Sequence, residues 1–288
     1  MSPLIVIVGE TASGKSTLAL ELAQKVGGEL ICADSWTVYR GFDIGTAKPT
    51  LEERERVPHH LLDVADPGDG FNAVLFQKLA KQMIADISAR GKVPILVGGT
   101  GLYIDSVLYD YGFLPPTDPA VRRELNALSL EKVVERAREL GLDTSGIDLR
   151  NKRRVIRLIE NNGRRPSKRP LRPNTLVMGI TTERDQLRER ITQRVDAMLG
   201  QGLEAEAAGL AKRYGWDVEP MKGIGYREWK DYFDGTQTMD QTREHIIKAS
   251  MDLAKRQRTW FKRNDSIQWL SDRSLADEIT TTFLNKND

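Results

Sequence analysis

Short apolar runs separated by polar, glycine-bearing turns open the chain. Residues 4–8 form one such run, and 29–33, 61–64 and 93–97 form three more. Runs of this length, bounded by Gly, Asp and Pro, suit strands covered on both faces. Between them a Ser/Thr–Ala–Leu-rich segment reads as a helix to about Val26. Across 71–90, Val74, Leu75, Leu79, Met83, Ile84 and Ile87 recur at helical spacing, and Gly91 stops the pattern. Strands alternating with helices predict an α/β fold, a parallel sheet with helices on both faces. A break then comes at Pro115, Pro116 and Pro119, and the residues up to about 173 are charged and helical, without β-branched runs. A strand returns at 174–180. The chain is therefore expected to divide into an α/β core, 1–113 and 174–288, and an inserted all-helical unit at 114–173. After the returning strand, Thr182 is expected to N-cap a long helix, with Asp185 as a partial capping-box partner and Gly200 and Gly202 at its end. Residues 266–270 are the candidate for a last strand.

Composition narrows the class. With 288 residues, 40% hydrophobic and 29% charged, the chain is ordinary for a soluble protein with a full core. The start lacks the basic, apolar and small-residue regions of a signal peptide, and no apolar run is long enough to span a bilayer. The lone cysteine, Cys32, excludes an internal disulfide, and with three histidines offers no zinc-ligand set. A cytoplasmic monomer with no membrane partner is expected. Net charge is only +2, yet it is segregated: residues 150–172 carry ten basic side chains against Glu160 alone. A second excess, seven basic residues against Glu244 and Asp252, lies at 243–263. Such segregation points to a polyanionic partner or to solvated helix faces.

The strongest local signal is Gly9-Glu10-Thr11-Ala12-Ser13-Gly14-Lys15-Ser16, which follows a strand and opens a helix. It matches the P-loop, in which backbone amides and a helix N-terminus make an anion pocket, the lysine adds a point charge and the Ser16 hydroxyl can hold Mg²⁺ on phosphates. The fold class is thus P-loop NTPase-like, although the loop does not identify its phosphate ester. The 93–97 run ends in Gly98-Gly99-Thr100-Gly101, not in the Asp of a Walker-B strand, which disfavours an ATPase or kinase. That second glycine-rich turn offers a hydroxyl, Thr100, to an anion. Asp34 follows the second strand at the carboxyl edge of the sheet, where open α/β sheets bind ligands. It suits a helix cap, a metal ligand or a general base.

The runs Asp34 to Pro49 (DSWTVYRGFDIGTAKP), His59 to Asp63 (HHLLD), Gly91 to Tyr103 (GKVPILVGGTGLY), Gly223 to Glu228 (GIGYRE) and Ala254 to Phe261 (AKRQRTWF) occur in that order after the P-loop. Together they closely resemble the signatures of tRNA dimethylallyltransferases. Glu10 stands where that family usually carries Pro, and Trp36 where a smaller or unbranched side chain is common. The family's His-Pro-Asn-Asp before the Arg-rich helix is missing from 147–157.

The resemblance implies dimethylallyl pyrophosphate as donor, tRNA as partner through adenine 37 beside the anticodon, and Mg²⁺ as cofactor. It implies Asp34 as the base, with Thr100 and Arg194 completing a pyrophosphate clamp. Arg190 lies one turn earlier on the same face and is able to share that role; a surface ion pair with Glu183 or Glu189 is the alternative for either arginine. tRNA contacts are expected from Asp34, Ser35, Trp36 and Thr37, from Arg122, from Arg153, Arg154, Val155, Ile156 and Arg157, and from Lys222, Gly223, Ile224, Gly225, Tyr226 and Arg227. Two alternatives share the motifs: prenyl transfer to a free adenine nucleotide, and a P-loop kinase.

Overall fold

Six strands lie in one parallel sheet in the computed structural model, which describes residues 1–115 and 117–286. The chain runs β1 (Leu4–Gly9), α1 (Lys15–Val26), β2 (Gly28–Ala33), α2 (Leu51–Arg56), β3 (His59–His60), α3 (Ala73–Ala89), β4 (Val93–Gly98) and α4 (Gly101–Leu108). After three helices outside the sheet, α5 (Pro119–Ala127), α6 (Leu130–Glu139) and α7 (Lys152–Glu160), β5 (Thr175–Ile180) rejoins it. The chain closes with α8 (Arg184–Gly200), α9 (Leu203–Tyr214), α10 (Lys230–Phe233), α11 (Met239–Phe261), β6 (Gln268–Trp269) and α12 (Leu275–Asn285).

Strand order is β3-β2-β4-β1-β5-β6. Every residue of β1 and β2 is buried, as expected of strands covered on both faces. One apolar layer joins Ile5, Ile7, Leu18, Leu22, Val97 and Met178 on the α1 side. On the other side Val38, Tyr39, Phe42, Ile191, Trp229 and Ile247 form a second. Because the strands are parallel, β1, β2 and β4 all deliver their carboxyl ends, Gly9, Ala33 and Gly98, to one edge. The strand order reverses at β1, so the ligand crevice of an open sheet falls over the loop that follows it.

Several expected boundaries move. The third strand is His59–His60, not 61–64, because Leu61 and Asp63 take φ of 64° and 55°, which a strand does not sustain. Thr182 does not cap α8: the N-cap is Glu183, without a side-chain cap bond, and the Thr182 amide instead donates to Glu10 Oε1. The last strand shrinks to two residues, and α12 follows it without a sequence-based expectation.

The chain divides into two compact units, Met1–Leu108 with Leu171–Asp288, and Tyr109–Pro170. Both limits lie earlier than the expected 114 and 173, since Arg172 N donates to Leu108 O in the first unit while Arg169 N donates to Tyr109 O in the second. Pro116, one of the three prolines marking the break, lies outside the described residues. The smaller unit is built on α5–α7, whose Leu125, Val133, Ala137, Val155 and Ile156 make its core. A bridge between Gly112 and Ser167 closes it.

Candidate active site

The loop after β1 is an anion cradle with part of its hydrogen bonding already committed. Gly14 has a φ of 87°, open only to a residue without Cβ, and from it α1 begins. The amides of Lys15, Ser16 and Thr17 have no intrahelical acceptor by construction and face the helix N-terminus. Two other amides are already used: Thr11 N donates to Gln257 Oε1 at 2.7 Å and Ser13 N to Glu10 O. Those two are therefore not free for an anion in this arrangement. The Glu10 side chain also turns away, 2% exposed, to Arg258 and the Thr182 amide.

Lys15 Nζ rests 3.2 Å from Glu10 O. Burial first, and the Arg194 guanidinium second, press its ammonium down to about 8, against the opposing pull of Asp34 and Glu10. Arg190 and Arg194, one turn apart on α8, both reach the loop, at 3.4 Å from Ser13 O and from Thr11 Oγ1. Neither pairs with Glu183 or Glu189 among the described residues. Burial lowers Arg194 from its ordinary value, with the Asp34 charge acting against it. Three cations thus converge on the loop at one sheet edge.

Asp34 lies just past β2. Its Oδ1 accepts from Trp36 N at 2.8 Å and Thr37 N at 3.4 Å, so one oxygen holds a turn while Oδ2 has no hydrogen bond among the described residues. The turn is thus held by one oxygen of the carboxylate, and the other is not used by it. Thr100 Oγ1 accepts from Ser35 N at 3.1 Å, which ties the Asp34 loop to the end of β4. The second glycine-rich turn serves packing: a Cβ at Gly99 would meet Gln257 Nε2 at 2.2 Å, and one at Gly101 the Trp260 ring at 2.3 Å. Gln257, which no chemical argument singled out in the sequence, joins this turn to the P-loop by donating from Nε2 to Gly99 O at 3.1 Å. Arg273, likewise missed, donates to Gly14 O.

A cavity of about 420 Å³ gathers these groups. Its lining includes the polar Lys15, Ser16, Asp34, Arg190 and Arg194 and the apolar Leu20, Leu30, Cys32 and Val97. Burial, then the Asp34 charge, pushes the Cys32 thiol up to about 12, so it is an inert apolar wall. Trp36, Thr37, Ile224 and Gly225 are also among the lining residues. Trp36 lies 3.3 Å from where a Gly223 Cβ would stand, so the 219–228 segment backs the indole.

The remaining candidates separate by environment. Tyr226 is 1% exposed, donates its hydroxyl to Glu206 at 2.7 Å and belongs to the core, which corrects its reading as an RNA contact. Lys222 and Arg227 are exposed, paired with Glu219 and Glu228. In the helical unit Val155 and Ile156 are buried at 0% and 2%, so their side chains are core and not an RNA surface. Arg122 and Arg157 both grip the buried Glu160 carboxylate. Burial alone would raise Glu160, but the two guanidinium groups hold it below its usual range. Arg153 and Arg154, exposed on α7, are the cations of this set without an ion pair among the described residues.

The donor set fits a Mg²⁺ ion. Ser16 and Asp34 offer oxygen atoms only, and no cluster of three or more His, Cys, Asp or Glu exists among the described residues. Mg²⁺ is commonly held that way, by one or two protein oxygens with phosphate and water filling the octahedron.

Residues 37–264 match the profile of the IPP transferase family. The tRNA dimethylallyltransferase of Geobacillus thermodenitrificans is 43% identical over 281 residues, spanning 92% of this chain and 89% of the relative. That of Bacillus subtilis is 41% identical over 286 residues, with 93% and 90% covered. Among solved structures, the full-length tRNA isopentenylpyrophosphate transferase from Bacillus halodurans aligns with a TM-score of 0.77 at 36% identity, over 99% of this chain and 98% of the other. A eukaryotic dimethylallyltransferase acting on tRNA aligns with a TM-score of 0.77 at 26% identity, over 93% and 74%. No helix among the described residues is long and apolar enough to cross a membrane. A glycine-rich cradle at the switch point of a parallel sheet, a profile match over most of the sequence, and relatives above 40% identity across nine-tenths of it lead to one assignment: the chain belongs to the IPP transferase family.

Proposed function

We propose that the protein transfers a dimethylallyl group from dimethylallyl pyrophosphate to N6 of adenine 37 in tRNA, releasing pyrophosphate, as a cytoplasmic monomer. The observation that carries this reading is what lines one cavity: the cations Lys15, Arg190 and Arg194, the apolar Leu20, Leu30, Cys32 and Val97, and the carboxylate of Asp34. A diphosphate suits the cations and a five-carbon allyl chain the apolar residues.

An adenine amine is a weak nucleophile because its lone pair is delocalised into the ring. Transfer therefore depends on stretching the allylic C–O bond, which loads charge onto the departing diphosphate. Lys15, the amides opening α1, Arg190 and Arg194 stabilise that charge where it develops. A Mg²⁺ held by Ser16 would supply further charge neutralisation on the diphosphate when bound. As the C–O bond breaks and the new N–C bond forms, the N6 proton passes to Asp34 Oδ2, the oxygen left over from the turn. Thr100 keeps the Asp34 loop in place through Ser35. The base must leave its stack to reach this depth, and Trp36 at the rim offers a face to stack on.

Transfer to a free adenine nucleotide would use the same cavity, but it has no need of the basic run at 150–172 or of the unpaired Arg153 and Arg154. Mass spectrometry of nucleosides from unmodified tRNA incubated with protein, donor and Mg²⁺ tests the reading. An adenosine heavier by a five-carbon alkenyl group at position 37 is the expected product. Labelling of AMP with untouched tRNA selects the nucleotide reading instead, and phosphoryl transfer from ATP rejects both.

A further inference from the structure

Directly behind the anion cradle sits a second carboxylate. Glu10, the second residue of the P-loop, is 2% exposed, and a bare buried anion there would oppose any diphosphate arriving at Lys15. Its oxygens are fully engaged. Oε1 accepts from Arg258 Nη2 at 2.7 Å and from Thr182 N at 3.0 Å, and Oε2 accepts from Arg258 Nε at 2.9 Å. Arg258 Nη2 also donates to Thr182 O at 2.7 Å. This knot ties three segments whose other residues face the cavity. The P-loop carries Lys15, itself bonded to Glu10 O. Thr182 leads into α8, which carries Arg190 and Arg194. Arg258 adjoins Gln257 on α11, the residue that holds Thr11 N.

We infer that Glu10 and Arg258 are a positioning pair for the diphosphate site: Glu10 anchors the cradle to α8 and α11, and Arg258 cancels the charge that this anchor would otherwise turn against the ligand. The inference rests on the proposed donor diphosphate. Removing only Arg258 exposes the ligand to an unpaired carboxylate, whereas removing both charges costs the anchor alone. The pair therefore predicts rescue of pyrophosphate affinity by the second substitution, beyond the rescue of stability that any broken buried ion pair shows.

The test is calorimetric titration of inorganic pyrophosphate with Mg²⁺ into the full-length protein and its Arg258→Met, Glu10→Gln and double variants. Arg258→Met should weaken pyrophosphate binding about tenfold, and adding Glu10→Gln should return it to within about threefold of the parent. In steady state the donor KM should follow the same order, while tRNA binding measured without donor stays within about twofold. Should Arg258→Met fail to fold, Arg258→Lys, which keeps the charge but loses the fork, should bind pyrophosphate several-fold more weakly than the parent and improve with Glu10→Gln. A double variant no better than its Arg258 parent, or an Arg258→Met protein within twofold of wild type, overturns the inference. Wild-type protein that binds pyrophosphate yet never prenylates tRNA sinks the proposed reaction, while the four-way comparison still decides the pair.

Discussion

Replacing Lys15 with Met should make the unliganded protein more stable while abolishing its grip on diphosphate. Holding the Lys15 ammonium at about 8 instead of 10.5 means that at pH 7 the fold carries a charge it disfavours by about 3 kcal/mol. Residual solvent contact reduces that to about 2 kcal/mol, and loss of the bond to Glu10 O takes back about 1 kcal/mol. A net gain on the order of 1 kcal/mol corresponds to a rise in Tm of about 2–4 °C. The sign with pH follows from the lowered value. The penalty is complete below pH 8, where Lys15 is charged in both folded and unfolded chains. It fades between pH 8 and 10.5, where only the unfolded chain keeps the proton. Differential scanning calorimetry at pH 7 and pH 10 should therefore show the advantage of Lys15→Met shrinking at the higher pH. Pyrophosphate should raise the Tm of wild type and leave the variant unmoved. A variant less stable than wild type at pH 7, or an advantage independent of pH, refutes the reasoning.

Asp34→Asn keeps a turn-holding oxygen and removes the base, so kcat for tRNA prenylation should fall about 10²–10⁴-fold with pyrophosphate affinity little changed; parallel loss of both in single-turnover and binding assays would contradict the division between its two oxygens. Arg153→Ala with Arg154→Ala should weaken tRNA binding and flatten its salt dependence by about 1–2 in logarithmic slope without lowering Tm, read by filter binding across a salt series. Arg122→Ala should instead destabilise the protein by about 1–3 kcal/mol, because the Glu160 carboxylate loses its main partner; an unchanged melting curve would count against that role. Cys32 should react with a thiol reagent only after denaturant is added, even at pH 9, since its thiol titrates near 12.

What the sequence made legible was whatever depends on local pattern. The P-loop declares its conformation through Gly14 and its neighbours, and β1, β2 and β4 through unbroken apolar runs. A two-residue strand of histidines, β3, has no such pattern; its pairing with Leu30 and Ile31 is written in the neighbouring strand. Thr182 has the chemistry of an N-cap, yet α8 starts one residue later and the Thr182 amide is held by a carboxylate 172 positions away, a contact that no window of adjacent residues contains. Val155 and Ile156 were hidden by their company: within a run of arginines, the helical period still turned them inward. The candidate site divides in the same way. Lys15 came from the P-loop motif, Asp34 from its place after the second strand, and Arg194 from the family resemblance, and all three line one cavity. Gln257 was visible only as a letter in a longer run, because its task, bridging Thr11 to Gly99, exists only once α11 has crossed the sheet edge.

The stitching of Leu108 to Arg172, and of Gly112 to Ser167, has a consequence for how such a protein diversifies. A segment whose entrance and exit are each pinned side by side adds little closure entropy to the scaffold that hosts it, whatever its length. The helical unit can thus be enlarged, trimmed or traded as a cassette without disturbing strand order. Under the proposed reaction, RNA contacts on that unit can then change while the cavity of the other unit stays as it is.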